Sequence, residues 1–287
     1  MALAPLSLSR GIVGASTGPF AQEIDSRWLM AYAAGLGETD PRYYDTTAAE
    51  GPVAHPIFPV CYEWPALLAL RAAATSDEMA TRSVHATHDL VVHRPLRAGE
   101  TLRTTARVIG LAHRRAGTLL TTRNETVDAL GQPVTTTDYG SVYRGVGFEG
   151  ADAGERSAGG AFDMPSGATR LPVTVPAWLA HAYSECARIW NPIHTDVAVA
   201  QAAGLPGIIL HGTATLALAV SQVMRYAEAD PRALCRVQAT FTGMVALPSR
   251  LAVRAIEATV GHAYLFDVLG EDDAPILSRG VLHLVPR

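Results

Sequence analysis

Surplus charge is the first thing this 287-residue chain lacks: 27 acidic residues stand against 23 basic ones, a net charge of −4 with the signs interspersed. A nucleic-acid binder presents a basic face, so that class is excluded. Cysteine is scarce. Cys61, Cys186 and Cys235 lie far apart, which leaves neither a disulfide framework nor a zinc-ligand spacing. No run of about 18 uninterrupted apolar residues exists, so no membrane span is expected. The opening stretch, Met1 to Arg10, carries no basic segment ahead of its short apolar run, so no signal peptide is expected either. These absences together give the expectation of a soluble protein of the cytoplasm. Apolar residues are what the chain has in quantity, 48% of the total, and its length fits two units of ordinary size.

The clearest boundary is the stretch 147–167, rich in Gly, Ala, Ser and charge, which reads as a linker between units at 1–146 and 168–287. Each side shows the same order of elements: a short helix, a turn, an apolar helix, then strands. In the first half, helices are expected over 26–37 and 60–74, with strands over 83–92, 101–112, 118–127 and 134–143. In the second, helices are expected over 177–189, 197–203 and 212–227, with strands over 236–246, 251–260, 264–270 and 276–285. The segment from Tyr32 to Asp45 lines up without a gap on Tyr183 to Asp196, with Tyr, Pro and Asp coinciding and Asp40 falling on Asn191. Matched element order and this local identity point to a duplicated domain.

The helix over 212–227 is apolar on nearly every side, which marks it as buried. A wholly apolar helix followed by antiparallel strands suggests a sheet wrapped around that helix, an α+β layout, and two copies would form an internal pair. His85, His88 and His93 share one expected strand but split between its faces, so they are not a metal-ligand set. No metal and no cofactor is expected.

Chemistry concentrates between Asn191 and Gly212. His194 sits on a tight Asn-Pro-x-His loop, and an imidazole with a reference pKa of about 6.5 suits proton exchange at neutral pH. Asn191 and Pro192 restrict that loop. Gly212 opens the apolar helix, where a bare N–H at a helix start favours developing negative charge. His211 beside it reads first as a structural residue that bonds backbone near the helix start, and second as a substrate contact. Asp196 reads as a helix N-cap, and Tyr183 as a core residue or loop anchor.

This segment resembles the signature of the MaoC-like, or R-specific (type-2), enoyl-CoA hydratases and 3-hydroxyacyl-thioester dehydratases, Asp-x-Asn-Pro-x-His followed by Ala-x-x-x-Gly and Ile-x-His-Gly. Asn191, Pro192, His194, Ile209, His211 and Gly212 match it. The resemblance implies a double hot-dog fold, an acyl thioester carried by CoA or an acyl carrier protein as partner, and His194 as the acid–base residue. It also implies the Gly212 N–H as a donor to the thioester oxygen. Arg94, Arg114 and Arg115 are available for a CoA phosphate.

The departure is Ile189, which occupies the family's aspartate position and neither holds water nor exchanges a proton. Glu185, four residues earlier and hence expected on the same helical face, is the nearest replacement carboxylate. In the first half Glu38 takes the aspartate's place, opposite Tyr43 rather than a histidine. Three readings follow: a hydratase or dehydratase despite Ile189, a repurposed enzyme that enolises, isomerises or cyclises in a dry pocket lined by Ile189 and Trp190, and a non-catalytic acyl-binding subunit. A homodimer beyond the internal pair is left open.

Overall fold

The structure is a computed structural model that describes residues 6–155, 162–259 and 261–285. The first half runs β1 (Ser7–Leu8), β2 (Ser16–Ile24), α1 (Ser26–Gly35), α2 (Pro59–Ala74), α3 (Asp77–Thr81), β3 (Ser83–Val92), β4 (Glu100–Arg114), β5 (Gly117–Val127), β6 (Pro133–Arg144), β7 (Gly147–Phe148) and β8 (Ala153–Gly154). The second runs β9 (Thr169–Val175), α4 (Leu179–Ala187), α5 (Val197–Ala202), α6 (Gly212–Tyr226), β10 (Leu234–Phe241), β11 (Ser249–Glu257), β12 (Ala263–Leu269) and β13 (Pro275–Leu284).

The main sheet has the order β2-β4-β5-β6-β3-β10-β13-β12-β11-β9, with β8 added beside β4. Read inward from its outer edge, each half repeats one topology: β2, β4, β5, β6, β3 on one side and β9, β11, β12, β13, β10 on the other. The duplication suggested by a few shared residues is therefore complete at the level of connectivity. The halves join where β3 and β10 pair antiparallel, with Gln238 opposite Asp89. There Asp89 accepts two hydrogen bonds from Arg236, at 2.8 and 2.7 Å, and one from Gln238 at 2.8 Å.

The two outermost strands of this path, β2 and β9, were not anticipated. Both contain a proline, Pro19 and Pro172, which removes a ladder donor and confines such strands to sheet edges. The stretch 147–167, expected to be a bare linker, begins as structure. β7 pairs parallel with β1, β8 pairs with β4, and Phe148 is buried. Residues 156–161 of that stretch lie outside the described residues.

The sheet wraps two central helices. In α6, residues Ala214 to Ser221 are all buried, as are Val223 and Met224, so this helix is enclosed on every side. Each of its larger apolar side chains contributes roughly 1.5–3 kcal/mol by leaving water. One apolar cluster contains Leu29, Tyr32, Phe58 and Tyr62 of the first half together with Tyr183, Leu216, Val220 and Phe266 of the second, so the halves share a core. Helices α1 and α4 pack against each other at the junction, close enough that a Cβ on Gly35 would lie 2.7 Å from the Cβ of Cys186. Among the described residues, no helix is long and apolar enough to cross a membrane.

Candidate active site

A cavity of about 200 Å³ runs between the halves. Its second-half wall includes Ile189, Asn191, His194, His211 and Gly212, and its first-half wall includes Glu63, Arg71, His85 and Tyr139. The Asn191 and Gly212 segments, separate in sequence, thus meet in one space.

The loop that carries His194 is built as its residues dictate. Pro192 starts a short 3-10 turn, Pro192–His194, and the Asn191 side chain caps it by accepting from the Ile193 N–H. Asp40 does the same for Pro41–Tyr43, accepting from Arg42 N–H at 3.0 Å, which matches the gap-free alignment. His194 is 9% exposed. Its Nδ1 lies 2.8 Å from the Ile209 carbonyl oxygen, and because a carbonyl only accepts, Nδ1 carries the proton. Nε2 is then an unprotonated base on a ring that lines the cavity. Burial pushes the His194 pKa down to about 4, against the opposing pull of the Ile209 carbonyl.

His211 stacks on His194, with ring centroids 3.7 Å apart. Its Nε2 lies 3.3 Å from the Ile189 carbonyl and 3.1 Å from Ser184 Oγ. Burial, then repulsion from His194, holds its pKa well below the usual histidine value. His211 therefore braces both the catalytic-type loop and the residue before it. It is also the N-cap position of α6, with no side-chain cap on that helix, so the first-turn N–H groups beginning at Gly212 have no side-chain acceptor. A Cβ on Gly212 would lie 3.1 Å from Phe241 Cε1, so glycine keeps this helix start open.

Two expectations are corrected. Glu185 is exposed, bonds the Trp190 indole at 3.4 Å and does not line the cavity. The i, i+4 argument fails because α4 stops at Ala187 and Arg188 takes a left-handed conformation, φ 58°, which breaks the helical phase before Ile189. The same break turns Ile189 inward, 4% exposed, and leaves Trp190 at 60% exposed, off the cavity. Only Ile189 of that pair forms the apolar wall.

The matching place in the first half is closed. Glu38 is buried and accepts from Arg225 of α6 at 2.8 Å, with His55 Nε2 at 3.7 Å. Tyr43 packs 5.8 Å from the His55 ring, and His55 Nε2 lies 2.9 Å from Ser221 Oγ. Neither Glu38 nor Tyr43 lines the cavity of His194. Arg94 is paired with Glu100 and Asp128.

His85, Tyr139, Phe241 and Glu63 were not singled out as site residues. His85 is stacked between Tyr139, at 3.8 Å, and Phe241, at 4.0 Å. Its Nε2–H faces the Thr87 carbonyl at 3.1 Å, and its Nδ1 would be 3.7 Å from a Cβ on Gly212. Nothing in the sequence indicates this, since it depends on β3 meeting β10 at mid-sheet. Glu63 did leave a signal, a lone acid inside the apolar run Val60 to Leu70.

An antiparallel sheet wrapped on a buried helix, duplicated in one chain, defines a double hot-dog protein. Residues 169–262 match the family model of the MaoC like domain, and residues 11–137 match that of the FAS1-like dehydratase domain region. The chain belongs to the MaoC-like dehydratase family, whose members act on acyl thioesters. It is 34% identical over 105 residues to fatty acid synthase subunit beta of Aspergillus oryzae, covering 36% of this chain and only 5% of that one. A MaoC-like dehydratase from Phytophthora capsici superposes with a TM-score of 0.83 over 96% of both chains at 20% identity. A conserved hypothetical protein of Mycobacterium tuberculosis with a double hotdog fold gives 0.61 at 17% identity, over 94% of this chain and 95% of that one. At such identities the structural likeness establishes the fold.

Proposed function

We propose that this protein adds or removes water at an enoyl or 3-hydroxyacyl thioester carried by CoA or an acyl carrier protein, with His194 as the acid–base residue. The observation that carries the reading is the pairing of a neutral His194 Nε2 with the uncapped start of α6 at Gly212, on one cavity. In the hydration direction, Nε2 takes a proton from water as its oxygen bonds to C3. The electrons of the double bond move toward the thioester oxygen, which the N–H groups at Gly212 hold. The imidazolium then returns the proton to C2. One imidazole serving both positions exchanges both protons on the same face. Asn191 positions the loop, and His211 fixes the plane of His194.

One observation favours a second reading. Among the described residues that line the cavity, the only acid is Glu63, on the opposite half, and Ile189 presents hydrocarbon beside His194. That wall suits proton removal from C2 without water, hence enolisation or isomerisation.

The test follows the conjugated absorbance of short and medium trans-2-enoyl-CoAs in wild type, His194→Ala and Ile189→Asp. His194-dependent loss of absorbance supports hydration. No turnover in wild type but hydration in Ile189→Asp moves the assignment to the water-free reaction.

A further inference from the structure

Helix α2 of the first half contains one acid, Glu63, and it has no exposed surface at all. It lines the same cavity as His194 but from the other half of the molecule. Its Oε1 accepts from Thr137 Oγ1 at 2.6 Å, while its Oε2 is buried with no protein partner. Beside Glu63 the sheet is polar where a hydrocarbon chain would be matched by hydrocarbon. Thr122, Asn124 and Thr126 of β5 and Thr135 and Thr137 of β6 are all buried. Both polar atoms of the Asn124 side chain also lack a protein partner. The corresponding strands of the second half, β12 and β13, bury mainly Phe266, Val268, Ile276, Leu277 and Leu282 instead.

A buried polar group left unpaired is destabilising, a cost that a leucine at position 63 would not incur. We propose that Glu63 forms a second subsite, one that hydrogen-bonds an oxygen substituent, a hydroxyl or a ketone, on the distal part of the acyl chain. The substrate class is then an oxygenated acyl thioester rather than a plain fatty one. This rests on the acyl-thioester reading above. Burial raises the Glu63 pKa to about 8, against the opposing pull of the Thr137 hydroxyl and the nearby Asn124 amide, so near neutral pH the carboxyl is mostly protonated and donates from Oε2. A cationic chain end is disfavoured because Arg71 lines the same cavity.

The experiment is calorimetric binding of saturated, unreactive thioesters to the whole protein. Dodecanoyl-CoA is compared with dodecanoyl-CoAs that carry one hydroxyl or keto group at successive positions from mid-chain outward. Wild type is expected to bind at least one oxygenated chain more than about 10-fold tighter than the plain chain, as sites built to hydrogen-bond a substrate oxygen do. Glu63→Leu is expected to abolish or invert that preference, and Glu63→Gln to keep part of it. Equal or tighter binding of the plain chain by wild type overturns the subsite. So does an unchanged preference in Glu63→Leu or, should that variant not fold, a wild-type panel without preference. Binding of none of the thioesters overturns it together with the reading it rests on. A preference for oxygenated chains without any enoyl-CoA turnover would sink the catalytic reading alone. His194-dependent turnover without the preference would sink only the subsite.

Discussion

Tyr32 and Tyr183, the equivalent residues of the two halves, meet at the junction with hydroxyl oxygens 3.4 Å apart and ring centroids 5.7 Å apart. Each also reaches the start of a central helix. Tyr32 donates to the Ile57 carbonyl at 3.3 Å, just before α2, and Tyr183 donates to Thr213 Oγ1 at 3.0 Å, in the first turn of α6. The internal symmetry axis is thereby tied to the element that presents Gly212. Tyr183→Phe is expected to lose about 1 kcal/mol of stability, measured by urea denaturation. It should also lower turnover more than Tyr32→Phe, because only Thr213 lines the cavity. Equal kinetic effects would refute that asymmetry.

His194→Ala should reduce turnover by about 10²–10⁴ with little change in fold. Because the base is neutral only above its own pKa, the acid limb of the kcat/KM profile should fall near pH 4 rather than near 6.5. A limb at the ordinary histidine value would mean that a different, exposed group titrates.

Gly212→Ala places a methyl 3.1 Å from Phe241, whose ring is stacked on His85. The expected outcome is a loss of about 1–3 kcal/mol from crowding, with kcat/KM falling by about 10²-fold as the N–H is obstructed. Retained activity at unchanged melting temperature would show that the α6 start is not the thioester site.

The Glu38–Arg225 pair links the halves through a carboxylate whose side chain is 4% exposed. Arg225→Met should cost about 1–3 kcal/mol, discounted because the arginine is half exposed. Converting Glu38 to Gln in the same background should recover most of the loss, which a double-mutant cycle would show.

Four buried histidines and the half-buried His85 give the protein a marked acid sensitivity. Burial lowers His55 to about 3, His88 and His194 to about 4, and His85 and His211 well below the usual value. The unfolded chain takes up protons at these sites below about pH 6.5 while the folded chain does not, so their stability is full above that pH and is lost as it falls. Each should cost about 1 kcal/mol between pH 6.5 and 5.5. Glu63, held protonated to about pH 8, works in the opposite direction, as a single group. A urea midpoint that is flat from pH 7.5 to 5.5 would contradict the buried, neutral assignment.

Much of the fold was legible because its information is local and periodic. The apolar run of α6, the capped turns at Asp40 and Asn191, and the shared Tyr, Pro and Asp positions announce a repeated α+β unit, and the motif around His194 and Gly212 announces its family. Local pattern also misled. Glu185 seemed to share a face with Ile189 only if the helix continued, and the left-handed Arg188 ends it first. The proline-bearing edge strands β2 and β9 carried too weak an alternation to be read.

The sequence by itself determined the duplicated unit, its buried central helix and the chemistry available at His194, because caps, periodicity and a contiguous motif act over a few residues. Only the tertiary structure decided what faces that histidine. Pairing of β3 with β10 brings His85 of one half beside Gly212 of the other, and a single cavity joins Glu63 with His194. Those contacts join residues more than a hundred positions apart, and such distances are set by how the halves pack rather than by any local preference.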